Sequence, residues 1–200
     1  MSAISRATLP LLALSLAACS AQDAPPLDGD WTVQAGESRL SFVTVKNGSV
    51  AEAHGFTGLS GSVSGDGEAE LTIDLATVAT NVDIRDERMR DLLFETGVYP
   101  AARVTAQLDP TGFSALGVGE STTLDLVATL DLHGMQEPLG AELVVTRTAE
   151  DKVLVQSARP IIVEAGSFGL AEGVEQLRSV AGLESITGAV PVTLSVTFTR

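Results

Sequence analysis

The stretch Leu124-Asp125-Leu126-Val127-Ala128-Thr129-Leu130-Asp131-Leu132 decides the fold. Leu124, Leu126, Ala128, Leu130 and Leu132 point to one side, while Asp125, Thr129 and Asp131 point to the other. A period of two is that of a β-strand with one buried face. The same rhythm recurs on both sides of it. Leu71, Ile73 and Leu75 alternate with Thr72 and Asp74, and Val104, Ala106 and Leu108 follow Pro100. At the C-terminus Val190, Val192, Leu194, Val196 and Phe198 alternate with Thr193, Ser195, Thr197 and Thr199. Shorter candidates are Thr32–Val33, Leu40–Val45, Leu59–Val63, Ala141–Val145, Val153–Ser157 and Ile161–Glu164, with turn residues such as Lys46-Asn47-Gly48 and Gly65-Asp66-Gly67 between strands. About eight strands in one domain must stack as a sandwich or close as a barrel to remove their edges. Periodicity does not choose between the two.

Two segments change to helical spacing. Asp83–Glu95 sets Met89, Leu92 and Leu93 on one side of a short helix, and Leu170–Val180 does the same with Leu170, Val174 and Leu177, with Gly182 as its stop. The fold class is therefore all-β with short helices, in one domain.

Composition excludes several functions. The chain has 200 residues, with 12 basic and 26 acidic side chains and a net charge of -14, so it lacks the cations that bind nucleic acid by displacing counterions. One Trp and one Tyr supply few stacking platforms for bases. An apolar fraction of 44% is enough for a packed core and argues against disorder.

The N-terminus reads as an address. Leu9–Ala18 is apolar, follows Arg6, and is too short to span a bilayer. Leu16-Ala17-Ala18-Cys19 resembles the bacterial lipobox, which implies cleavage before Cys19 and acylation of its thiol. Several acyl chains together give the stable membrane anchoring that one chain cannot. Residues 1–18 are thus expected to be a lipoprotein signal peptide, residues 19–28 an acylated Cys with a flexible tether, and residues 29–200 the globular domain. Ser20 after the Cys implies, by the same resemblance, sorting to the outer membrane, facing the periplasm.

Catalytic groups are scarce. Cys19 is consumed by the anchor, so no thiol nucleophile or thiolate ligand remains. His54 reads as part of a Gly-flanked loop, Ala53-His54-Gly55, and His133 as the end of the best strand at a His133-Gly134 turn. No Gly-x-Ser-x-Gly elbow occurs, and Gly117-Val118-Gly119 reads as a loop. Asp83, Asp86, Glu87 and Asp91 alternate with Arg85, Arg88 and Arg90 at spacings where opposite charges pair on a helix face. No enzyme, metal site or cofactor is expected.

The segment from Ala79 to Pro100, with Arg85, Asp86, Met89, Phe94, Tyr99 and Pro100, resembles the signature of the YceI-like family of lipocalin-like polyisoprenoid-binding proteins. Leu130-Asp131-Leu132-His133-Gly134-Met135-Gln136-Glu137-Pro138-Leu139 resembles a second family motif, and Ser38–Phe42 with Gly55–Gly61 resembles its opening strands and their Gly-aromatic turn. The resemblance spans Gly29 to Thr199. It implies an eight-stranded antiparallel lipocalin-like β-barrel with an internal apolar cavity for an isoprenoid lipid or quinone. Lys46 and Arg88 stand where the family commonly has His, which makes them candidates for the ligand head group.

Two functions stand side by side. One is an envelope lipoprotein carrying a long apolar ligand, with Phe42, Phe56, Met89, Leu93, Phe94 and Phe168 as expected tail contacts and Arg85 and Asp86 bracing the helix. The other is a ligandless, membrane-tethered module that contacts a partner in the envelope or in a stress response. A hollow barrel and a filled one carry the same inward residues.

Overall fold

The computed structural model describes residues 27–200. Cys19, the signal segment and most of the tether lie outside the described residues. The alternation seen in Leu124–Leu132 recurs in twelve antiparallel segments of one sheet. They are β1 (Trp31–Val33), β2 (Arg39–Lys46), β3 (Val50–Phe56), β4 (Leu59–Val63), β5 (Glu68–Asp74), β6 (Val78–Ala79), β7 (Ala101–Gln107), β8 (Ser121–Leu132), β9 (Met135–Ala149), β10 (Lys152–Ser157), β11 (Ile161–Glu164) and β12 (Ala189–Thr199). Two α-helices, α1 (Asp83–Arg88) and α2 (Ala171–Val180), lie in the connections.

Pairing merges the segments into eight long strands. β1 and β2 run end to end along β12, with Thr32 opposite Thr199 and then Leu40 opposite Leu194. A 3-10 turn at Ala35–Glu37 interrupts them, and the Ser38 hydroxyl ties that turn to β12 by accepting from Thr197 N at 3.1 Å. β3 and β4 return along β2 and β1, with His54 opposite Phe42 and Val63 opposite Trp31. The order β1-β4-β5-β7-β8-β9-β10-β12 then closes on itself through the β1–β12 pair. The protein is a closed eight-stranded antiparallel barrel. Closure satisfies the strand edges that a sandwich would leave exposed.

One strand differs from the sequence reading. His54 lies inside β3 and is buried, not in a loop. Val50, Glu52, His54 and Phe56 alternate at period two, but their mixed polarity hides the strand. The Asp83–Glu95 segment also differs from a uniform helix. After α1 it widens into a π turn over Met89–Leu93, where Phe94 N donates to Met89 O at 2.9 Å. Helix α2 packs on this turn at Gly173, where a Cβ would stand 2.6 Å from the Leu92 carbonyl oxygen.

Both helices and the Asn47-Gly48 turn lie at one end of the barrel, called here the upper end. At the lower end are Trp31, Leu116, Val145 and Val153, a buried cluster of their own. Arg147 is sealed there at 1% exposure, its guanidinium donating to the carbonyls of Leu116 at 3.1 Å and Glu150 at 2.8 Å. The Arg200 guanidinium sits 5.1 Å from the Trp31 ring centroid and donates to Asp28 O at 2.9 Å.

Candidate functional site

The inward side chains of β8 report what the barrel contains. Leu130 and Leu132 are buried, whereas Leu126, on the same inward face, keeps accessible surface. An inward apolar side chain does so only beside empty space. That space is a cavity of about 450 Å³, within the range of about 300–1,000 Å³ typical of small-molecule pockets.

Each element contributes to the wall by its alternation. β2 supplies Leu40 and Phe42, β5 Leu71 and Ile73, β8 Leu126 to Leu132, β9 Leu139 and Leu143, and β12 Val190, Val192 and Leu194. The upper end is covered by Met89, Leu93 and Phe94 from the π turn and by Leu170, Val174 and Leu177 at α2. Phe42, Phe56 and Phe94 form an aromatic file, with centroids 5.4 Å and 5.7 Å apart.

The polar lining is confined to the upper end. It consists of Thr44, Lys46, Glu52, His54, Arg85, Arg88 and Thr187. Glu52 Oε2 joins two cations, Lys46 Nζ at 2.7 Å and Arg85 Nη1 at 2.8 Å. The Lys46 ammonium, and secondarily Arg85, hold the Glu52 carboxyl below its ordinary value. Arg85 also donates from Nε to the Thr80 hydroxyl at 2.8 Å and from Nη2 to the Thr80 carbonyl at 2.7 Å. Asp86 accepts from Thr80 N at 2.9 Å and from the Thr80 hydroxyl. Arg85 and Asp86 thereby fasten α1 to the end of β6. Arg88 donates to the Val180 carbonyl at 3.4 Å and has no ion-pair partner among the described residues.

His54 shares a hydrogen bond of 3.1 Å between Nε2 and the Thr44 hydroxyl, and its ring meets Phe42 edge-on at 5.3 Å. Burial, and after it the charge of Arg85, push its pKa below the ordinary value, so the ring is neutral near pH 7. Among the described residues no three His, Cys, Asp or Glu side chains converge to hold a metal ion. The chemistry on offer is an apolar sleeve with a hydrogen-bonding, partly cationic collar.

The profile of the YceI-like domain matches residues 31–198. This chain belongs to the YceI-like family. Among solved YceI-like relatives, a polyisoprenoid binding domain from Saccharophagus degradans implicated in plant cell wall breakdown is 40% identical. The comparison covers 85% of this chain and 98% of that one, with a TM-score of 0.83. BcnA of Burkholderia cenocepacia, 16% identical over 82% of this chain and 98% of its own with a TM-score of 0.64, shares the fold. Curated proteins include no match to the chain.

The YceI-like motifs meet at the upper end. Tyr99 packs against His133 with the rings tilted at 50° and centroids 4.3 Å apart, and His133 Nε2 donates to Glu95 at 2.8 Å. Gly134, at φ 77°, brings its backbone against the Tyr99 ring, where a Cβ would stand 3.0 Å away. Leu75 N donates to Pro100 O at 3.0 Å. These residues fix the helical connection to the β8–β9 hairpin. Of the six expected tail contacts, the structure places Phe42, Phe56, Met89, Leu93 and Phe94 in the cavity wall, with Lys46 and Arg88 at its rim. Phe168 is elsewhere: it ends the 3-10 turn Ala165–Phe168 and is buried in the solid core, outside the wall. Sequence reading did not single out Glu52 or Thr80. Glu52 faces Thr44 across the β2–β3 hairpin, a placement visible only once β3 is recognised as a strand.

Proposed function

We propose that this YceI-like barrel binds and carries a long-chain isoprenoid lipid of polyprenyl or quinone type without transforming it. One observation carries the reading: a 450 Å³ apolar cavity whose polar lining is gathered at one end. Moving an isoprenoid tail through water costs about 25 cal/mol for each Å² of apolar surface exposed, and an apolar sleeve removes that cost. The head group would then sit at the collar, where Arg88 offers donors to a carbonyl, hydroxyl or phosphate oxygen. The 40% identity to a polyisoprenoid binding domain supports the same ligand class. The chain has few convergent acid, base or nucleophilic groups, which supports a binding role over a catalytic one.

The lipobox-like Leu16-Ala17-Ala18-Cys19 supports an envelope lipoprotein, acylated at Cys19 and held at the outer membrane facing the periplasm. Native mass spectrometry of the full chain purified from its own envelope tests the carrier reading. A bound mass built of whole isoprene units is expected. A bare mass, with no uptake of added prenol or quinone, overturns it. For the anchor, Cys19→Ala should move the protein out of the membrane fraction, and unchanged fractionation would reject acylation there.

A further inference from the structure

The barrel contains a second cavity. It lies at the lower end, measures about 170 Å³, and is walled by Trp31, Val63, Leu108, Phe113, Val153 and Phe198 among others, with no charged side chain. Two residues, Leu126 and Leu143, line both this chamber and the upper one. On these two antiparallel strands the wall residues fall in the same spatial order from upper to lower chamber. Along β8, Leu130 faces the upper chamber, Leu126 both and Leu124 the lower, and along β9, Ala141, Leu143 and Val145 follow the same order.

On neighbouring strands Leu126 pairs with Ala141 and Leu124 with Leu143, so Leu126 and Leu143 are diagonal neighbours on the inward face. Val33, Leu59 and Val196, on β1, β4 and β12, are buried and line neither chamber, each lying along its strand between wall residues of the two. The bore is thus one axis divided by a septum. Leu126 and Leu143 are the two side chains common to both walls, and a rotamer change at either moves the boundary between the chambers.

We propose that Leu126 and Leu143 form a tail-length gate, and that the lower chamber receives the far end of a ligand too long for the upper chamber alone. The inference rests on the carrier reading and adds a direction and a length to it. The uncharged lower chamber accepts only the hydrocarbon terminus, because a head group buried there would lose its hydrogen bonds to water without replacement. It extends the space by more than a third. A ligand with a short tail stops above the leucines, and one with a long tail displaces them.

Trp31 is the chain's only tryptophan and stands in the lower wall, so it reports arrival of the tail. The test uses the full chain with farnesol as the short prenol and solanesol as the long one. Binding is read by native mass spectrometry and the lower chamber by Trp31 emission. In the parent chain both prenols bind and only solanesol changes the emission. Leu126→Phe, which adds bulk and no tryptophan, should change the two affinities unequally, because Leu126 lines both chambers. It should weaken solanesol by about tenfold or more and abolish the emission change. Leu126→Ala should keep or tighten solanesol binding, which keeps the proposal testable if the bulkier variant does not fold. Equal effects of these variants on both prenols, or an emission change with farnesol as large as with solanesol, would overturn the gate and leave the carrier reading intact. A parent chain that binds neither prenol removes the carrier reading, and the gate with it.

Discussion

Two arginines mark the two ends of the barrel, and they are held in different ways. Arg85, at the upper end, keeps about a quarter of its side chain exposed and is satisfied by Glu52 and Thr80. Arg147, at the lower end, is buried and donates to main-chain carbonyls of Leu116, Ala149 and Glu150. Ion pairs in contact with water contribute about 0–1 kcal/mol, so the upper collar rearranges at low cost. The buried Leu116 carbonyl has no water to turn to, and losing its donor costs about 1–3 kcal/mol, whereas the carbonyls of Ala149 and exposed Glu150 rehydrate. The ion pairs of the upper end therefore exchange with water at low cost, and the bond to Leu116 at the lower end does not.

The largest effect that sharpens this contrast is expected at the lower end. Arg147→Met should destabilise the fold by about 3 kcal/mol in urea unfolding, since the stem can be replaced but the donors cannot. A loss below about 1 kcal/mol would mean that the lower end relaxes as readily as the upper. Arg85→Ala should cost less, about 1 kcal/mol, because its carboxylate partner returns to water. Its clearer signature is expected in ligand affinity, through loosening of α1. Smaller again is Glu52→Gln, which should change stability by less than about 1 kcal/mol. By freeing Lys46 and Arg85 it should favour a prenyl phosphate over the corresponding prenol, measured as the ratio of the two Kd values. An unchanged ratio would separate the collar from head-group recognition.

The smallest effect is a pH slope at the collar. The native pKa of His54 is depressed, so as the pH falls the unfolded chain takes up that proton first. The stability contributed by the neutral ring is complete above its ordinary value of 6.5 and is lost as the pH drops from there toward the native value. Glu52, also depressed, acts in a lower window, below its ordinary 4.5. The unfolding midpoint should therefore fall between pH 7 and 5, and fall less in His54→Phe. Identical slopes in the two chains would remove His54 from the account.

Much of the fold was readable because Leu124–Leu132 and Val190–Phe198 are long alternations with little competing signal. The alternation alone did not show closure, which depends on Thr32 meeting Thr199 from opposite ends of the domain, and only the family resemblance implied it. Turn residues flanking a mixed-polarity strand concealed β3, and with it the collar position of His54. The hollow interior, also implied only by the resemblance, was invisible to the alternation for a different reason. Leu126 has the same pattern whether it fills a core or borders a cavity, and the distinction arises only from the distance between walls. Phe168 shows the converse error, in which an aromatic suited to a tunnel wall packs instead into a 3-10 turn beside the core. Arg147 continues the inward alternation of Leu143 and Val145 on β9, a place where a charge is unexpected, and the Leu116 carbonyl helps to satisfy it there.

The contact of Arg200 with Asp28 has a practical consequence for handling the molecule. Arg200 and the lead-in to the first strand lie side by side at the lower end of the cylinder. A dye, bead or chip coupled at Arg200 therefore stands at the far end of the molecule from its helix-covered collar, which every immobilised copy turns toward the solution.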